Sequence, residues 1–463
     1  MSALWTSDEI VEATGGTLHG GVFEATGVAF DSREIEPGFL FVAMPGTVAD
    51  GHDFVAKALA SGAAGALVSK PVDGPHVLVA DVPQALEALA RAARARMTGT
   101  VVGVTGSVGK TSTKEALFAA LDRNARGRTH RSVKSYNNHT GVPLSLARMP
   151  RDSQYAVLEM GMNHAGEIAA LTRLVRPHIA LVTTIASAHI EHLGSMEAIA
   201  DAKGEIFEGL EPDGVAIIPD ASPYRDRLVK AARPHAGRTL TFGGTDGDVV
   251  ALHSAASDKG GSLITARLEE SELTYTVAQR GSHWIDNSLA VLAACEAAGA
   301  DLAICGLALA EMGGLKGRGE RHKVTTDDGH FLLIDESYNA NPASMAATLK
   351  SLGEEKGVKR RIAVLGPMRE LGEQGPALHA ALAPAVEGAK VDVAILVGDE
   401  MDPLGQALEG KVDVCAVNSV DTALDALLST VRAGDAVLVK ASNSIGLARL
   451  VEEVAGGRAK CFT

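Results

Sequence analysis

The sequence predicts an α/β protein of three domains, on the evidence of its length and of its hydrophobic pattern. A chain of 463 residues suggests about three domains, each long enough to bury a core of its own. From Val101 onwards, short apolar runs alternate with segments of helical period, which indicates parallel sheets covered by helices on both faces. We therefore expect a small leading α/β domain, a central parallel-sheet domain of the P-loop type and a C-terminal Rossmann-like doubly wound domain.

Changes of pattern along the chain set the expected domain boundaries. Residues 1–98 combine a short β-rich opening, Gly and Pro punctuation and Ala-rich helices that end at 85–97. Residues 99–314 form the central domain, and residues 315–463 form the C-terminal domain after a Gly-rich, basic hinge at 313–319. The expected central strands are 100–104, 155–160, 179–185 and 215–218, followed by an antiparallel addition within 242–281 and a helix at 287–298. The expected C-terminal strands are 331–334, 361–365, 393–397 and 436–439.

Composition and charge exclude several classes of partner. The formal net charge of −14 disfavours a surface for nucleic acid or for acidic membranes, although a local basic pocket can still bind small phosphates. Four dispersed cysteines without a C-x-x-C pair indicate buried thiols of a reducing compartment. The N-terminus lacks the features of a signal peptide, and no stretch is long and apolar enough to span a bilayer. We expect a cytoplasmic monomer with small-molecule partners, without nucleic-acid binding or membrane insertion.

The segment Gly103-Val-Thr-Gly-Ser-Val-Gly-Lys-Thr-Ser112 indicates a site for a nucleoside triphosphate. It joins a predicted strand to a predicted helix at 111–121, so that backbone N–H groups and a helix N-terminus surround phosphate oxygens. The glycines permit close approach, Lys110 supplies positive charge, and the Thr111 hydroxyl suits Mg²⁺. Five residues separate Gly103 from Gly109, one more than in the common P-loop pattern, so the loop is a variant of it. The candidate nucleotide-binding set is Gly103, Thr105, Gly106, Ser107, Gly109, Lys110, Thr111 and Ser112.

Three residues beyond this loop are candidates for metal chemistry. Glu159 follows a predicted strand, where a carboxylate suits a metal-phosphate role better than a solvated loop or a helix cap once the nucleotide loop is present. His189 lies at the same sheet edge, but an ordinary surface or core histidine is an equally good interpretation. Lys203 lies in a helical segment, and its spacing alone favours a solvated lysine.

Polar residues in the second half of the chain complete the candidate site. Asn287 opens a predicted helix, where its carboxamide suits either an adenine edge or a helix cap. Arg318 lies in the hinge, from which a guanidinium can reach a γ-phosphate when domains close. Asp335 ends a predicted strand, and the polar turn 336–342 that follows it, which includes Asn339 and Asn341, favours function over simple connection.

Together these motifs resemble the Mur ligase family of ATP-dependent enzymes, and the match runs along essentially the whole chain. The resemblance rests on several segments in the family's order: Asp31-Ser-Arg-Glu-Ile-Glu-Pro-Gly, Leu40-Phe-Val-Ala, Asp50-Gly-His-Asp-Phe54, Tyr136-Asn-Asn-His-Thr-Gly-Val-Pro143, Leu158-Glu-Met-Gly-Met-Asn-His-Ala-Gly-Glu167, Ala202-Lys-Gly-Glu-Ile-Phe207 and Tyr338-Asn-Ala-Asn-Pro342. Two places depart from the family pattern. Phe39 stands where relatives commonly carry an acidic or polar residue. Ala441 and Asn443 stand in place of a glycine and an arginine, and these two replacements affect the residues expected to contact the acceptor substrate.

The resemblance implies an enzyme that binds ATP and two Mg²⁺ ions. In such an enzyme Lys110 contacts the terminal phosphates. Thr111 and Glu159 bind one Mg²⁺, and His189 binds a second together with Glu159. Lys203 matches a lysine that is carbamylated to N6-carboxylysine, which converts a cation into an anion that suits Mg²⁺. By the same likeness Asn287 meets adenine, Arg318 the γ-phosphate and Asp335 the ribose. The substrate-side residues are Ser32 and Arg33 near the uridine, with Asn138, Asn339 and Asn341 elsewhere on the substrates.

The resemblance also implies the substrates, UDP-N-acetylmuramoyl-tripeptide and D-alanyl-D-alanine, joined through an acyl phosphate in a cytoplasmic step of peptidoglycan precursor synthesis. The identity of the tripeptide's third residue, lysine or diaminopimelate, stays open. One alternative is another ligase of this architecture, such as the third-residue-adding enzyme or a folylpolyglutamate synthase, although the leading domain argues against the synthase. A P-loop kinase or a nucleotide-switched binding protein is the alternative from a different class.

Overall fold

The computed structural model describes residues 3–46, 49–187, 190–257 and 260–457, and the elements below are drawn from these ranges. The chain begins with a small sheet in the order β2-β7-β6-β5-β4, in which β2 is antiparallel and the remaining pairs are parallel. A short antiparallel ribbon, β1 with β3, lies beside it. The strands are β1 (Trp5–Thr6), β2 (Thr17–His19), β3 (Glu24–Ala25), β4 (Gly27–Ala29), β5 (Phe39–Val42), β6 (Gly65–Val68) and β7 (His76–Leu78), and the helices are α1 (Ser7–Thr14), α2 (Val55–Ala60) and α3 (Val82–Arg96).

The middle of the chain forms a parallel sheet in the order β13-β12-β11-β8-β10-β9. Its strands are β8 (Thr100–Thr105), β9 (Thr129–Arg131), β10 (Tyr155–Glu159), β11 (Ile179–Val182), β12 (Val215–Pro219) and β13 (Arg238–Phe242). Its helices are α4 (Lys110–Ala125), α5 (Gly141–Ala147), α6 (Glu167–Val175), α7 (Ile190–Leu193), α8 (Met196–Gly204) and α9 (Arg225–Ala232). Alternate residues of β8 enter two different cores, Val102 and Val104 on one face and Val101 on the other, because successive strand side chains point to opposite faces.

The order of this sheet explains where a ligand binds. From β8 the chain fills one side of the sheet with β9 and β10 and then the other side with β11, β12 and β13. Such a reversal leaves a crevice at the carboxyl ends of the strands, which is where open α/β sheets bind ligands. The Gly-rich loop leaves β8 at this point.

An antiparallel sheet and two helices extend the central domain. The sheet has the order β14-β15-β16, with β14 (Val250–Ala256), β15 (Ser262–Arg267) and β16 (Glu272–Val277). It packs with α10 (His283–Ala297) and α11 (Leu302–Glu311) into the same core as α4. The antiparallel addition expected within 242–281 is therefore confirmed.

The last part of the chain is a second doubly wound sheet, in the order β17-β18-β22-β19-β20-β21. All its pairs are parallel except β17 with β18. Its strands are β17 (Glu320–Thr326), β18 (Gly329–Glu336), β19 (Arg361–Leu365), β20 (Val393–Val397), β21 (Asp413–Val417) and β22 (Ala436–Lys440). Its helices are α12 (Pro342–Gly353), α13 (Gly375–Ala380), α14 (Ala383–Gly388), α15 (Asp402–Ala407), α16 (Val420–Thr430) and α17 (Leu447–Ala455).

The sequence predicted the buried strands well and the exposed ones poorly. The predicted strands at 361–365 and 393–397 have the observed bounds, and the fold class is confirmed. Strands β17 and β21 were not predicted, since both lack the continuous apolar run of a buried strand. The expectation that Asn287 opens or caps a helix is wrong. Helix α10 begins at His283, one turn earlier, so Asn287 lies inside it.

Ion pairs connect the domains. Glu355 follows α12 and is almost fully buried, and its Oε2 lies 2.9 Å from Nη1 of Arg280 in the central domain and 2.7 Å from Nη2 of Arg321 in β17. On the other side of the central domain, Glu34 of the leading domain pairs with Lys134 and Arg148. In the part of the chain that the structure describes, no helix is both long and apolar enough to cross a membrane.

Candidate functional site

The Gly-rich loop links the end of β8 to the start of α4 in a conformation that requires glycine at two positions. Gly106 has a φ of 148° and Gly109 a φ of 86°, in the region that glycine adopts most easily. A Cβ on Gly106 would also collide with the Thr183 side chain. Gly109 is the N-cap of α4 and has no side-chain cap. The first N–H groups of the helix are therefore free to meet an anion.

The segment that follows β11 holds this loop in place. Thr183 donates its hydroxyl to the Val108 carbonyl at 2.6 Å, and Ser107 donates its hydroxyl to the Ala186 carbonyl at 2.9 Å. Lys110 donates from Nζ to the Gly106 carbonyl at 2.6 Å, which folds its side chain back over the loop. The ammonium of Lys110 therefore lies over the loop, where it is available to a phosphate oxygen.

Glu159 lies at the end of β10 and faces the start of α4. The Thr111 hydroxyl donates to its Oε2 at 2.9 Å, and the Asn137 amide donates to its Oε1 at 2.8 Å. The carboxylate is 1% exposed, and none of the described basic side chains forms an ion pair with it. Oxygen atoms of carboxylates and hydroxyls are the ligands that hard metal ions prefer, so Thr111 and Glu159 fit an ion such as Mg²⁺.

Lys203, near the end of α8, is completely buried. Its Nζ has no hydrogen-bond partner among the residues that the structure describes. Burial lowers the pKa of Lys203 well below its ordinary value, the positive charge of Lys110 lowers it further, and Glu205 acts in the opposite direction. A neutral amine is the nucleophile that adds to CO₂, so an orphaned buried amine beside the phosphate loop fits a carbamylated lysine.

The C-terminal domain contributes a cationic group from the other side. The Arg318 guanidinium stacks on the Tyr338 ring, 4.3 Å from the ring centroid. Burial lowers the pKa of Lys110, as does the positive charge of Arg318, while Glu159 and Glu370 raise it. Lys110 and Arg318 thus approach one region from two domains. Two neighbouring cations that disfavour each other are stabilised together by a multiply charged anion.

The buried Lys440 and the half-buried Glu336 form an ion pair beside Arg318. Lys440 donates from Nζ to the Asn339 carbonyl at 2.9 Å and lies 3.4 Å from Glu336 Oε2. Burial lowers the pKa of Lys440, and the Glu336 carboxylate opposes that effect. Burial raises the pKa of Glu336. The pair joins the polar turn after β18 to the end of β22.

One cavity of about 640 Å³ between the central and C-terminal domains is lined not by Lys203 but by other groups described above, namely Lys110, Thr111, Glu159, Arg318, Tyr338, Glu336 and Lys440. Asn287 lies on its wall one turn along α10 from His283, which also lines it. Burial lowers the pKa of His283 to about 4, so this imidazole is neutral at neutral pH. The predicted site residues in the lining are Ser107, Gly109, Lys110, Thr111, Ser112, Asn138, Glu159, Asn287, Arg318, Asn339 and Asn341.

Other predicted residues lie outside the cavity lining. Asp335 accepts hydrogen bonds at Oδ1 from Ser337 and at Oδ2 from the Gly317 N–H at 2.8 Å, so it fastens the hinge to β18. Ser32 and Arg33 lie in the leading domain, where Arg33 pairs with Asp31 and is largely exposed. Gly103, Thr105, Gly106 and Lys203 are not part of the cavity lining, and His189 lies outside the described residues.

Two further predicted residues have structural roles that the sequence did not indicate. Asn341 caps α12, accepting at Oδ1 from the Ser344 N–H at 2.9 Å in a capping box. Gly103 lies inside β8, where a Cβ would come within 2.7 Å of Met160 and 3.3 Å of Pro177. Close packing thus gives an independent reason for glycine at that position.

Sequence reasoning missed several lining residues, for which signals existed. Tyr338 and Asn137 lie within motifs that carried the resemblance. Lys440 directly precedes Ala441, in the segment where Ala441 and Asn443 depart from the family pattern. His283 precedes Asn287 by four residues and therefore shares a helix face with it. Glu336 follows Asp335 directly, and strand alternation sends the two side chains to opposite faces. Only one of these two carboxylates can therefore face the cavity, and it is Glu336.

The fold and the cavity define a nucleotide-binding protein of three domains, with a P-loop-type sheet at its centre and a Rossmann-like sheet that closes the site. Family models agree with this definition. Residues 24–97 match the Mur ligase family catalytic domain, residues 104–295 the Mur ligase middle domain and residues 317–443 the Mur ligase glutamate ligase domain.

Individual relatives match along nearly the whole chain. The UDP-N-acetylmuramoyl-tripeptide--D-alanyl-D-alanine ligase of Synechocystis is 35% identical, over 92% of this chain and 91% of the relative. The crystal structure of MurF from Acinetobacter baumannii has a TM-score of 0.84 at 30% identity, covering 98% of this chain and 99% of that one. MurF from Thermotoga maritima in complex with ADP has a TM-score of 0.76 at 28% identity, covering 93% and 97%. The chain belongs to the Mur ligase family.

Proposed function

We propose that this protein is an ATP-dependent ligase that joins D-alanyl-D-alanine to UDP-N-acetylmuramoyl-tripeptide, a step of peptidoglycan precursor synthesis. The observation that carries this proposal is the cavity, where the phosphate loop and Glu159 of one domain face Arg318 and Lys440 of the next. A site divided in this way suits a reaction that must hold ATP and two further substrates at once. Relatives that carry this activity in their names match the chain from end to end.

ATP is held by groups that complement its charge and shape. The backbone N–H groups at the start of α4 and the Lys110 ammonium meet the β- and γ-phosphates, and Arg318 meets the γ-phosphate from the C-terminal domain. Tyr338 supports the Arg318 guanidinium at 4.3 Å, which reduces the freedom that the side chain loses on binding. Asn287 lies beside Gly109, whose added Cβ would be 3.3 Å from Asn287 Oδ1, and its amide is the proposed contact of adenine.

Two Mg²⁺ ions complete the proposed site. Thr111 and Glu159 hold the first, while Glu159, His189 and a carbamylated Lys203 hold or orient the second. When bound, Mg²⁺ neutralises phosphate charge and lets an anionic nucleophile approach. Asn137 fixes the rotation of the Glu159 carboxylate, with 2.8 Å between its Nδ2 and Oε1, and Thr111 fixes the other oxygen.

The proposed reaction has two steps. An oxygen of the tripeptide's terminal carboxylate attacks the γ-phosphorus of ATP, the bond to the ADP oxygen breaks, and an acyl phosphate forms. The dipeptide amine, after losing a proton, attacks the acyl carbon through a tetrahedral intermediate, and inorganic phosphate leaves. The protein's contribution is to hold two anions together with Lys110, Arg318 and the α4 N-terminus, and to exclude water from the acyl phosphate by closure of the C-terminal domain.

The three domains divide these tasks. We assign residues 1–98 to the uridine nucleotide, with Ser32 and Arg33 near the uridine, residues 99–314 to ATP, and residues 315–463 to the dipeptide. Asn138 reaches the cavity from the central domain, and Asn339 reaches it from the turn after β18. The ion pairs of Glu34 with Lys134 and Arg148 hold the leading domain against the central one, beside the path that the tripeptide arm must follow.

Phosphate release measured with purified protein tests the proposal. With ATP and Mg²⁺, phosphate is expected to appear only when both UDP-N-acetylmuramoyl-tripeptide and D-alanyl-D-alanine are present, with stoichiometric formation of the pentapeptide product. ATP turnover that is indifferent to the dipeptide would overturn the ligase proposal in favour of a kinase or a nucleotide switch. A second assay tests the third-residue-adding alternative. It supplies UDP-N-acetylmuramoyl-dipeptide in place of the tripeptide, and single amino acids in place of D-alanyl-D-alanine.

A further inference from the structure

Lys114 is a buried lysine to which the proposed mechanism assigns no task. It lies in α4, one turn after Lys110, and its side chain is completely buried. Its Nζ donates to the Lys134 carbonyl at 2.6 Å and to the Ser132 carbonyl at 3.3 Å, and lies 2.9 Å from Glu115 Oε1. Two of these three partners are backbone carbonyls of the loop that follows β9. A lysine buried at this cost is expected to hold that loop in one position.

The loop at 132–138 supplies contacts to Glu159. Ser132 accepts the Glu159 N–H on its hydroxyl at 2.8 Å, and Asn137 donates to Glu159 Oε1 at 2.8 Å. The Ser135 hydroxyl lies 3.4 Å from that of Thr111. Lys114 therefore stands at one end of a short chain of contacts that ends on the two residues proposed for the first Mg²⁺.

The loop backbone depends on support of this kind. Lys134 has a φ of 50°, a left-handed conformation that residues with a Cβ seldom adopt. Its carbonyl is the acceptor in the shorter of the two hydrogen bonds from Lys114. Without that ammonium Lys134 is expected to relax, and such a change of backbone is expected to shift the Asn137 side chain three residues later.

We infer that Lys114 is a positioning residue, which fixes the 132–138 loop so that Asn137 orients the Glu159 carboxylate for Mg²⁺. The inference rests on the proposed Mg²⁺–ATP site and deepens it. Residues that orient a metal ligand without touching the metal commonly change metal affinity or activity about 10-fold to 100-fold when they are removed. Lys114 acts one contact further away, so an effect near the lower end of that range is expected.

Calorimetric binding of a non-hydrolysable ATP analogue to the full chain, with Mg²⁺ and separately with EDTA, tests this role. Lys114→Met keeps the side-chain volume but removes the ammonium. It is expected to weaken binding about tenfold in Mg²⁺ and to leave binding in EDTA unchanged. Lys230→Met removes an exposed lysine of α9 in the same domain and is expected to change neither affinity.

Asn137→Ala and the double variant decide whether Lys114 acts through the loop. Asn137→Ala is expected to lose the same Mg²⁺-dependent affinity, and the double variant no more than Asn137→Ala alone. Unchanged Mg²⁺ affinity in Lys114→Met, an equal loss with and without Mg²⁺, or additive losses would each overturn the inference. If Lys114→Met does not fold, Asn137→Ala alone tests the inference. Unchanged Mg²⁺-dependent affinity in that variant would show that Asn137 does not orient the Glu159 carboxylate, and the inference would fail.

The outcome is separable from that of the proposed function. Analogue binding requires neither the tripeptide nor the dipeptide. A wild-type protein whose affinity rises with Mg²⁺ but which releases no dipeptide-dependent phosphate would refute the ligase proposal alone. The same protein with an insensitive Lys114→Met variant would refute the positioning role alone.

Discussion

Replacing Lys203 by alanine is expected to stop ligation, because the carbamate that this lysine is proposed to carry would be lost. The structure gives the reason for choosing this residue. Its side chain is completely buried and its Nζ has no hydrogen-bond partner in the described part of the chain. Burial and the neighbouring Lys110 charge both lower the pKa of Lys203, which favours the neutral amine that adds to CO₂ over the ammonium.

The magnitudes separate a functional role from a structural one. Loss of a preorganised charged group at a phosphoryl-transfer site is expected to lower turnover about 10²-fold to 10³-fold. A buried donor without a partner costs about 1–3 kcal/mol of stability. Lys203→Met, which keeps the volume and removes the donor, is therefore expected to unfold at a higher denaturant concentration than CO₂-depleted wild type. One substitution should thus lower activity and raise stability.

The assay is dipeptide-dependent phosphate release, with short carboxylic acids added to each variant. Lys203→Ala leaves a cavity where the side chain lay, so propionate or bicarbonate is expected to restore part of the turnover. Lys203→Met fills that cavity and is expected to show no restoration, which makes it the matched control. Carbon-13 NMR of wild type in labelled bicarbonate is expected to show a carbamate signal that Lys203→Ala lacks.

Three results would refute this reasoning. Wild-type turnover in Lys203→Ala would remove the residue from the reaction. Equal restoration of both variants by added acids would show that the acids act elsewhere. Lys203→Met less stable than CO₂-depleted wild type would mean that the amine has a stabilising contact, contrary to its orphaned position.

The remaining predictions concern a stacked ring, a domain contact and a half-buried histidine. Tyr338→Leu is expected to raise the KM for ATP about twofold to fivefold, because the Arg318 guanidinium loses a stacking contact worth about 0.5–1 kcal/mol, whereas Tyr338→Phe keeps the wild-type value in steady-state kinetics. Glu355→Gln is expected to lower the denaturation midpoint by the equivalent of about 1–3 kcal/mol, since it leaves Arg280 and Arg321, both partly exposed, without their buried carboxylate partner. Burial lowers the pKa of His130 from 6.5 to about 4. Between these two values the unfolded chain binds a proton that the folded chain does not, so the stability that neutral His130 contributes is complete above pH 6.5 and is lost as the pH falls towards 4. The stability difference between wild type and His130→Gln is expected to change by up to about 3 kcal/mol over that pH range, measured by denaturant titration.

Each of these predictions has a contrary outcome. Equal KM values in Tyr338→Leu and Tyr338→Phe would show that the ring does not support Arg318. An unchanged midpoint in Glu355→Gln would mean that the domain contact adds nothing to stability in solution. A stability difference for His130→Gln that does not vary between pH 4 and 6.5 would show that the imidazole titrates at its ordinary value.

The sequence alone determined the architecture and the chemistry of the phosphate loop. Continuous apolar runs such as 361–365 and 393–397 are sufficient to predict a buried parallel strand, because both faces of that strand meet helices. Glycines followed by Lys110 and Thr111 predict a phosphate cradle for a similarly local reason, since the loop and the helix N-terminus are adjacent in the chain. The order of several motifs then indicated the family, which the comparisons established.

Only the tertiary structure decided which side chains share the cavity. Thr111, Asn137 and Glu159 come from three separate segments, and their contacts depend on the sheet order and on the direction of each strand. Asp335 and Glu336 are adjacent in sequence, yet one fastens the hinge and the other lines the cavity, because neighbouring strand residues face opposite sides. The burial of Lys114 and Lys203 could not be predicted from a helical pattern, since lysine is usually solvated. Packing against the loop after β9 removes Lys114 from water, and packing near Lys110 removes Lys203.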